Sequence, residues 1–214
     1  MTTFNPAAFV ANSLQTQNEV SEVSVIDTSL VQISRKKYPG FIVGVVSASL
    51  VTAQVIENLV SDPRIDFIAN IPKEAIWNGE AIDIAKSKGI GWGGIGDLFS
   101  AAASPSARGF VRKEYTFAER IFSQHSAVKS VERLFDRVYK LERHNQTAVT
   151  VALVNEYDVT ADSVRTALER YGPFTDILAN NPNCRFSPEA KQTAKNLGII
   201  LLPLKEFMGR LNSQ

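Results

Sequence analysis

An α/β architecture in two tandem copies follows from three features of this 214-residue chain. The first is internal repetition. Val51-Thr52-Ala53 returns as Val159-Thr160-Ala161, 108 positions on. Asp66, Ala69, Asn70 and Pro72 return as Asp176, Ala179, Asn180 and Pro182, 110 positions on. Glu80-Ala81, Ala85-Lys86 and Gly89-Ile90 return as Glu189-Ala190, Ala194-Lys195 and Gly198-Ile199, 109 positions on. Average composition gives about four such identities by chance, against the thirteen found. The second feature is an alternation of strand and helix patterns in the same order in each copy, which implies parallel strands. The third is ordinary globular composition, 44% apolar and 21% charged, which excludes disorder and low complexity. A period near half the chain reads as duplication. The expected domains are 1–107 and 108–214, each a small three-stranded parallel α/β unit preceded by helices, related by an approximate two-fold.

The elements follow from their residues. Phe41–Val46 is a near-continuous apolar run, as a strand buried on both faces requires. From Val51 to Val60, the residues Val51, Val55, Ile56 and Leu59 share one helical face. Ile65–Ala69 is a second strand. Gly79–Lys88 is a helix with Ala81, Ile82 and Ala85 inward and Gly89 as its C-terminal cap. Ile90–Trp92 is a third strand, and Leu98–Ala103 a last short helix. The second copy repeats the pattern with strands Ala148–Val154, Thr175–Ala179 and Ile199–Leu202. Its helices are Ala161–Tyr171, Pro188–Leu197 and Lys205–Leu211. Ser187-Pro188-Glu189 supplies a cap, a proline at the first helical position and an acid in the first turn. Two helical stretches are expected before each first strand. The clearest runs from Phe117 to Arg143, with Phe117, Ile121, Val128, Val131, Phe135 and Val138 at three- and four-residue steps.

Charge and cysteine usage bound the function. The chain has 23 Lys+Arg and 22 Asp+Glu, net +1, so no whole-chain field draws it to nucleic acid or membrane. A single cysteine, Cys184, forms no intramolecular disulfide and points to a reducing, cytoplasmic setting. The first twenty residues have neither the basic nor the apolar region of a signal peptide, and no run is apolar enough to span a bilayer. The stretch Val111–His144 carries eight basic and five acidic residues, a local +3. On a helix, Lys129, Arg133, Arg137 and Lys140 would share one face. That face is a solvated surface by default and the place for nucleic-acid contact if there is any.

Several motifs carry chemistry in their letters. Gly91-Trp-Gly-Gly-Ile-Gly96 matches G-x-G-x-x-G, but only Ile90 separates it from the helix-capping Gly89, so the strand of a dinucleotide fingerprint is missing. The turn Gly93-Gly94-Ile95-Gly96 keeps the capacity for looser anion binding. Asp176 followed by Glu189-Ala-Lys191 has the letters of a D…E-x-K nuclease centre. Such a centre needs Glu and Lys on the same side of a strand, and Glu189 is read instead as first-turn capping. His125 and His144 with one cysteine make no zinc constellation. No G-x-S-x-G elbow or G-x-x-x-x-G-K-[ST] loop occurs, and Cys184 reads as a free thiol. No cofactor and no metal are expected.

The stretch Asp176-Ile-Leu-Ala-Asn-Asn-Pro-Asn-Cys-Arg-Phe-Ser-Pro-Glu-Ala-Lys191, with Ala194-Lys-Asn-Leu-Gly-Ile-Ile-Leu-Leu202 and Glu206-Phe207, resembles the C-terminal half of Mrr-type restriction-endonuclease-like domains. In that pattern a strand runs into a small polar loop, F-[ST]-x-E-A opens a helix and G-I starts the next strand. Asp66–Phe99 resembles it more faintly. The resemblance implies a related α/β layout. The D…[EQ]-x-K that it would place on a catalytic hairpin is not found in this chain.

The expected function is non-catalytic, a binding or interaction protein descended from a duplicated domain. Two readings stand beside it: a restriction-endonuclease-like nucleic-acid-binding or degenerate nuclease protein, and a binder of small anions or nucleotides at the strand carboxyl ends. Homo-oligomerisation stays open. Ligands of open parallel sheets bind at strand carboxyl ends. Those ends are Asn70, Lys73, Gly93 and Gly94 in the first copy, and Asn155, Glu156, Asn180, Asn183 and Arg185 in the second. The repeated Ala-Asn-x-Pro is explained by turn chemistry alone. The functional alternative has Asn180, Asn183 and Arg185 holding a phosphate or carboxylate.

Overall fold

The computed structural model describes residues 4–213 and divides into two compact units that meet between Arg112 and Lys113. The first unit runs α1 (Pro6–Gln15), β1 (Val20–Val25), β2 (Leu30–Arg35), β3 (Phe41–Val46), β4 (Leu50–Val51), α2 (Ala53–Val60), β5 (Ile65–Asn70), β6 (Ile76–Trp77), α3 (Gly79–Ser87), β7 (Gly91–Gly94) and α4 (Ile95–Ala103). The second runs α5 (Lys113–Ser123), β8 (Val128–Phe135), β9 (Val138–Arg143), β10 (Gln146–Val154), β11 (Asp158–Val159), α6 (Ala161–Tyr171), β12 (Asp176–Ala179), β13 (Arg185–Phe186), α7 (Pro188–Asn196), β14 (Ile200–Pro203) and α8 (Leu204–Arg210).

Each unit is a five-stranded mixed sheet, in the order β1-β2-β3-β5-β7 and, equivalently, β8-β9-β10-β12-β14. The first three strands form an antiparallel meander and the last three are parallel. One face of the first sheet is covered by α1 and α4, through Val10, Leu14, Leu98 and Ala101 against Ile33, Val43 and Phe67. The second unit repeats this core with Ala118, Phe122, Phe207 and Leu211 against Leu141, Val151 and Leu178. Burying one such side chain stabilises by about 1.5–3 kcal/mol. Helices α2 and α3 pack together on the other face. Gly44 lets α2 approach there, because a Cβ would come within 2.9 Å of Leu59.

The parallel α/β half of each copy is as the sequence reads, and two expectations need correction. The stretches before Phe41 and Gln146 are one helix and a β-hairpin each, so the helix expected over Phe117–Arg143 ends at Ser123. A β-bulge explains the misleading period. Register shifts at Val128/Ser130 and Arg133/Phe135 turn a two-residue step into the three-residue step Val128–Val131, which imitates a helix. The first copy has its own shift at Val20/Glu22, 108 positions earlier.

The second correction concerns register. Val46 pairs with Asn70, whereas its counterpart Val154 pairs with Ala179. From β5 onward the structural offset is therefore 109, and the Ala-Asn-x-Pro identities at 110 are one residue out of step. The two asparagines are therefore not structural equivalents: Asn70 ends β5, whereas Asn180 follows β12. The parallel strands β3, β5 and β7 follow one direction across the sheet, without reversal of strand order among them.

Among the described residues, no helix is long and apolar enough to cross a membrane.

Candidate functional site

Beyond the carboxyl ends of the parallel strands, a two-stranded ladder ties the loops together in each unit. Leu50 pairs with Ile76 and Val51 with Trp77; Asp158 pairs with Arg185 and Val159 with Phe186. The frame is the same in both. Ile76 N donates to Ser49 O at 2.9 Å, and Arg185 N to Tyr157 O at 2.7 Å. Asn78 N donates to Val51 O, and Ser187 N to Val159 O.

In the first unit one expected strand-end residue, Asn70, is engaged in holding the loop after β3. Asn70 is 1% exposed. Its Oδ1 accepts from Ala48 N at 3.0 Å and its Nδ2 donates to Ala48 O at 2.9 Å. The backbone at Gly93 and Gly94 lies against an anion of the protein's own, the Asp97 carboxylate. Gly94 N donates to Asp97 Oδ2 at 3.0 Å, and Arg112 Nε donates to Asp97 Oδ1 at 2.6 Å. Gly93 has φ +150, and a Cβ there would fall 2.4 Å from that carboxylate. Lys73 is exposed on the loop. Trp77 and Trp92 pack below with ring centroids 5.2 Å apart.

The second unit differs in its side chains. Asn155 Nδ2 donates to Glu114 Oε2 at 2.5 Å, while Glu114 Oε1 accepts from Arg137 Nη2 at 2.8 Å. The carboxylate of Glu156 accepts from Ser163 Oγ, which also accepts from Thr160 N at the start of α6. Asn183 N donates to Asn181 Oδ1 at 2.9 Å, an Asx turn. Asn180 N donates to Val154 O at 2.8 Å, and its buried Oδ1 has no hydrogen-bond partner. Arg185 is exposed and its guanidinium lies 5.3 Å from the ring centroid of Tyr157, itself 50% exposed. Tyr157 and Arg185 occupy the positions of Ser49 and Ile76 on an unchanged backbone frame. Sequence reading passed over Tyr157. The available signal was an aromatic among polar residues directly after a strand, in Asn155-Glu-Tyr-Asp158.

The four cations expected on one helix face do not share one. Arg133 is 7% exposed, stacked on the rings of Tyr115 and Tyr139 at 4.6 and 5.0 Å and paired with Glu119 at 3.0 Å. Arg137 pairs with Glu114, and Lys140 with Glu142 at 2.7 Å. Lys129 is exposed on β8. Asp136, at the turn between β8 and β9, accepts long bonds from the hydroxyls of Tyr115 and Tyr171. Burial pushes the Tyr171 and Tyr139 hydroxyls well above the ordinary tyrosine range. The first unit has Ala7, Ala11, Val25, Thr28 and Val31 where Tyr115, Glu119, Arg133, Asp136 and Tyr139 stand.

The letters of the nuclease centre are dispersed. Asp176 is 0% exposed, with Arg210 Nε at 3.5 Å. Glu189 lies exposed in the first turn of α7, where Ser187 Oγ caps Ala190 N at 3.0 Å, and Lys191 is exposed on the same helix. His125 accepts from Ala127 N at Nδ1 and faces Met208 O with Nε2, a structural tie. Among the described residues no group of three or more His, Cys, Asp or Glu is placed to hold a metal ion.

Comparison with protein families, with curated proteins and with solved structures finds no match to this chain.

Proposed function

We propose that the chain is a non-catalytic interaction protein, and that its partner engages the Tyr157–Arg185 pair of the second unit. The observation that carries this reading is the contrast between copies. On one ladder, with the same backbone bonds, the first unit presents Ser49 and Ile76 and the second presents an exposed tyrosine under an arginine. Tyrosine and arginine are the residue types that dominate binding energy at protein interfaces. Loops held by a rigid scaffold are where binding residues concentrate. Around this pair, the polar side chains of Asn155 and Glu156 are engaged in internal bonds, which fixes the platform.

The test replaces the pair with its first-copy counterparts, Tyr157→Ser with Arg185→Ile, in the full chain. A partner that co-purifies at fixed stoichiometry from the source cells with the unaltered chain is expected to be lost from the variant at equal thermal stability. Equal recovery with the variant, or no partner with either, would contradict the reading.

A nucleic-acid-binding relative of the Mrr-type domains is the second reading. Each unit has an antiparallel hairpin, β1–β2 and β8–β9, and neither carries D…[EQ]-x-K. Mg²⁺-dependent plasmid cleavage lost on Asp176→Ala and Lys191→Ala would favour it over the first.

A further inference from the structure

A cavity of about 260 Å³ opens in the first unit at the amino ends of the parallel strands, opposite the strand-end loops. It lies where α2 and α3 end. Its apolar surface is Val60, Pro63 and Ile90, and its rim carries Lys88, Arg108 and Asp62. The volume lies just below the range of drug-sized ligand pockets, about 300–1,000 Å³, which limits an occupant to a small molecule.

The charges on the rim are unequal in their availability. Asp62 is held by a forked contact from Arg64, with Nη2 to Oδ2 at 2.6 Å and Nε to Oδ1 at 3.0 Å. That contact keeps its carboxyl at about 2, well below the ordinary aspartate value, so the acid is already answered. Arg108 is fixed in place by bonds to Ile65 O at 3.2 Å, Asp66 Oδ1 at 3.2 Å and Lys88 O at 3.1 Å. The last of these answers a carbonyl at the end of α3, where a helix terminus would otherwise repel an anion. These bonds come from Nη1 and Nη2, and among the described residues Nε has no hydrogen-bond partner. The Lys88 ammonium is exposed, and among the described residues no ion pair engages it. An unpaired ammonium on the same rim as a guanidinium held in place by its pair with Asp66, above an apolar floor, suits a carboxylate with a compact apolar body, with Lys88 as the main source of charge. The second unit is an internal contrast: Leu197 stands where Lys88 does.

We propose that this corner is a binding site for a small apolar carboxylate, held through its carboxyl group by Lys88 and Arg108 and through its body by Val60, Pro63 and Ile90. The site is independent of the Tyr157–Arg185 platform.

Titration of the ¹⁵N-labelled full chain with benzoate and with benzyl alcohol separates the charge from the apolar body. Benzoate is expected to shift the Gly89, Ile90 and Arg108 amides saturably, and to bind about tenfold more tightly than benzyl alcohol, the yield of one charge-assisted contact. Lys88→Leu, which copies the second unit and breaks no ion pair among the described residues, is expected to weaken benzoate about fivefold or more and leave benzyl alcohol unchanged. Arg108→Gln is read in the same way, with its folding checked separately. Equal affinity for the two probes, an unchanged benzoate affinity in Lys88→Leu, or shifts that do not saturate would overturn the proposal.

Discussion

Arg35 and Arg143, 108 positions apart, make the same bonds in their respective units. Arg35 Nε donates to Pro39 O at 2.6 Å and Arg143 Nε to Thr147 O at 2.7 Å, each four residues ahead. Arg35 Nη1 reaches Ala101 O, Ala102 O and Ser104 O at 3.4, 3.3 and 2.6 Å. Arg143 Nη1 reaches Arg210 O, Leu211 O and Ser213 O at 3.4, 3.2 and 2.8 Å. One guanidinium ties the meander to the last helix and donates to the carbonyls at that helix's end. The matched atoms extend the duplication from backbone order to individual hydrogen bonds.

Removing either arginine takes its charged donor from those carbonyls, of which Ala101 O and Arg210 O keep the bonds from Ser104 N and Ser213 N. Arg143→Ala is expected to cost about 3 kcal/mol in urea unfolding and Arg35→Ala, more exposed, about 2 kcal/mol. Lysine at either position is expected to recover little, since a single ammonium cannot fork between Nε-type and Nη-type acceptors. Full rescue by lysine would mean that charge alone matters.

The parallel halves were legible in the sequence because apolar runs such as Phe41–Val46 and capped helices such as the one after Ser187 carry their own signals. The hairpins were not. The bulge at Val128/Ser130 disguises the strand period, the turn at Asp136-Arg137 lacks glycine, and a buried Arg133 reads as surface. At the candidate site, the strand ends were identified from loop position. What occupies them was hidden: the glycine backbone lies against Asp97, fifteen residues from Arg112, and no spacing rule signals such a pairing.

Gly93 and Gly96 are expected to respond oppositely to alanine. At Gly93 a Cβ meets the Asp97 carboxylate and the backbone has positive φ, so Gly93→Ala is expected to cost about 2 kcal/mol or more. At Gly96, inside α4, a Cβ meets nothing within 4 Å, and Gly96→Ala is expected to stabilise by up to about 1 kcal/mol. Thermal unfolding of both variants decides it, and a neutral Gly93→Ala would refute the close approach of Asp97 to Gly93.

Burial pushes the Asp176 carboxyl above the ordinary aspartate range, with Arg210 and Arg143 offsetting part of the effect. For an acid whose folded pKa is raised, the charged form weakens the fold. The penalty is fully present above the raised value and vanishes below the unfolded one. Asp176→Asn is therefore expected to gain most over the unaltered chain near neutrality, with the gap closing as the solution is acidified toward the unfolded aspartate value. Unfolding free energies across that range check the sign, and a gap that widens on acidification would reverse it.

Arg133 is held by Glu119, Tyr115 and Tyr139 in a corner where the first unit has Val25. Arg133→Val alone is expected to cost about 3 kcal/mol, because Glu119 and the Asp136 carbonyl lose their charged partner inside the fold. A loss under 1 kcal/mol by urea unfolding would show the network to be dispensable.

The most direct measurement places a photo-crosslinking residue at Asn183, exposed beside Arg185, in the full chain and illuminates it in the source cells. A discrete adduct of constant mass is expected, abolished by Tyr157→Ser with Arg185→Ile and unaffected by Ser49→Ala in the first unit. An adduct that survives the double substitution, or none from this position, would contradict an interaction protein that binds through its second copy.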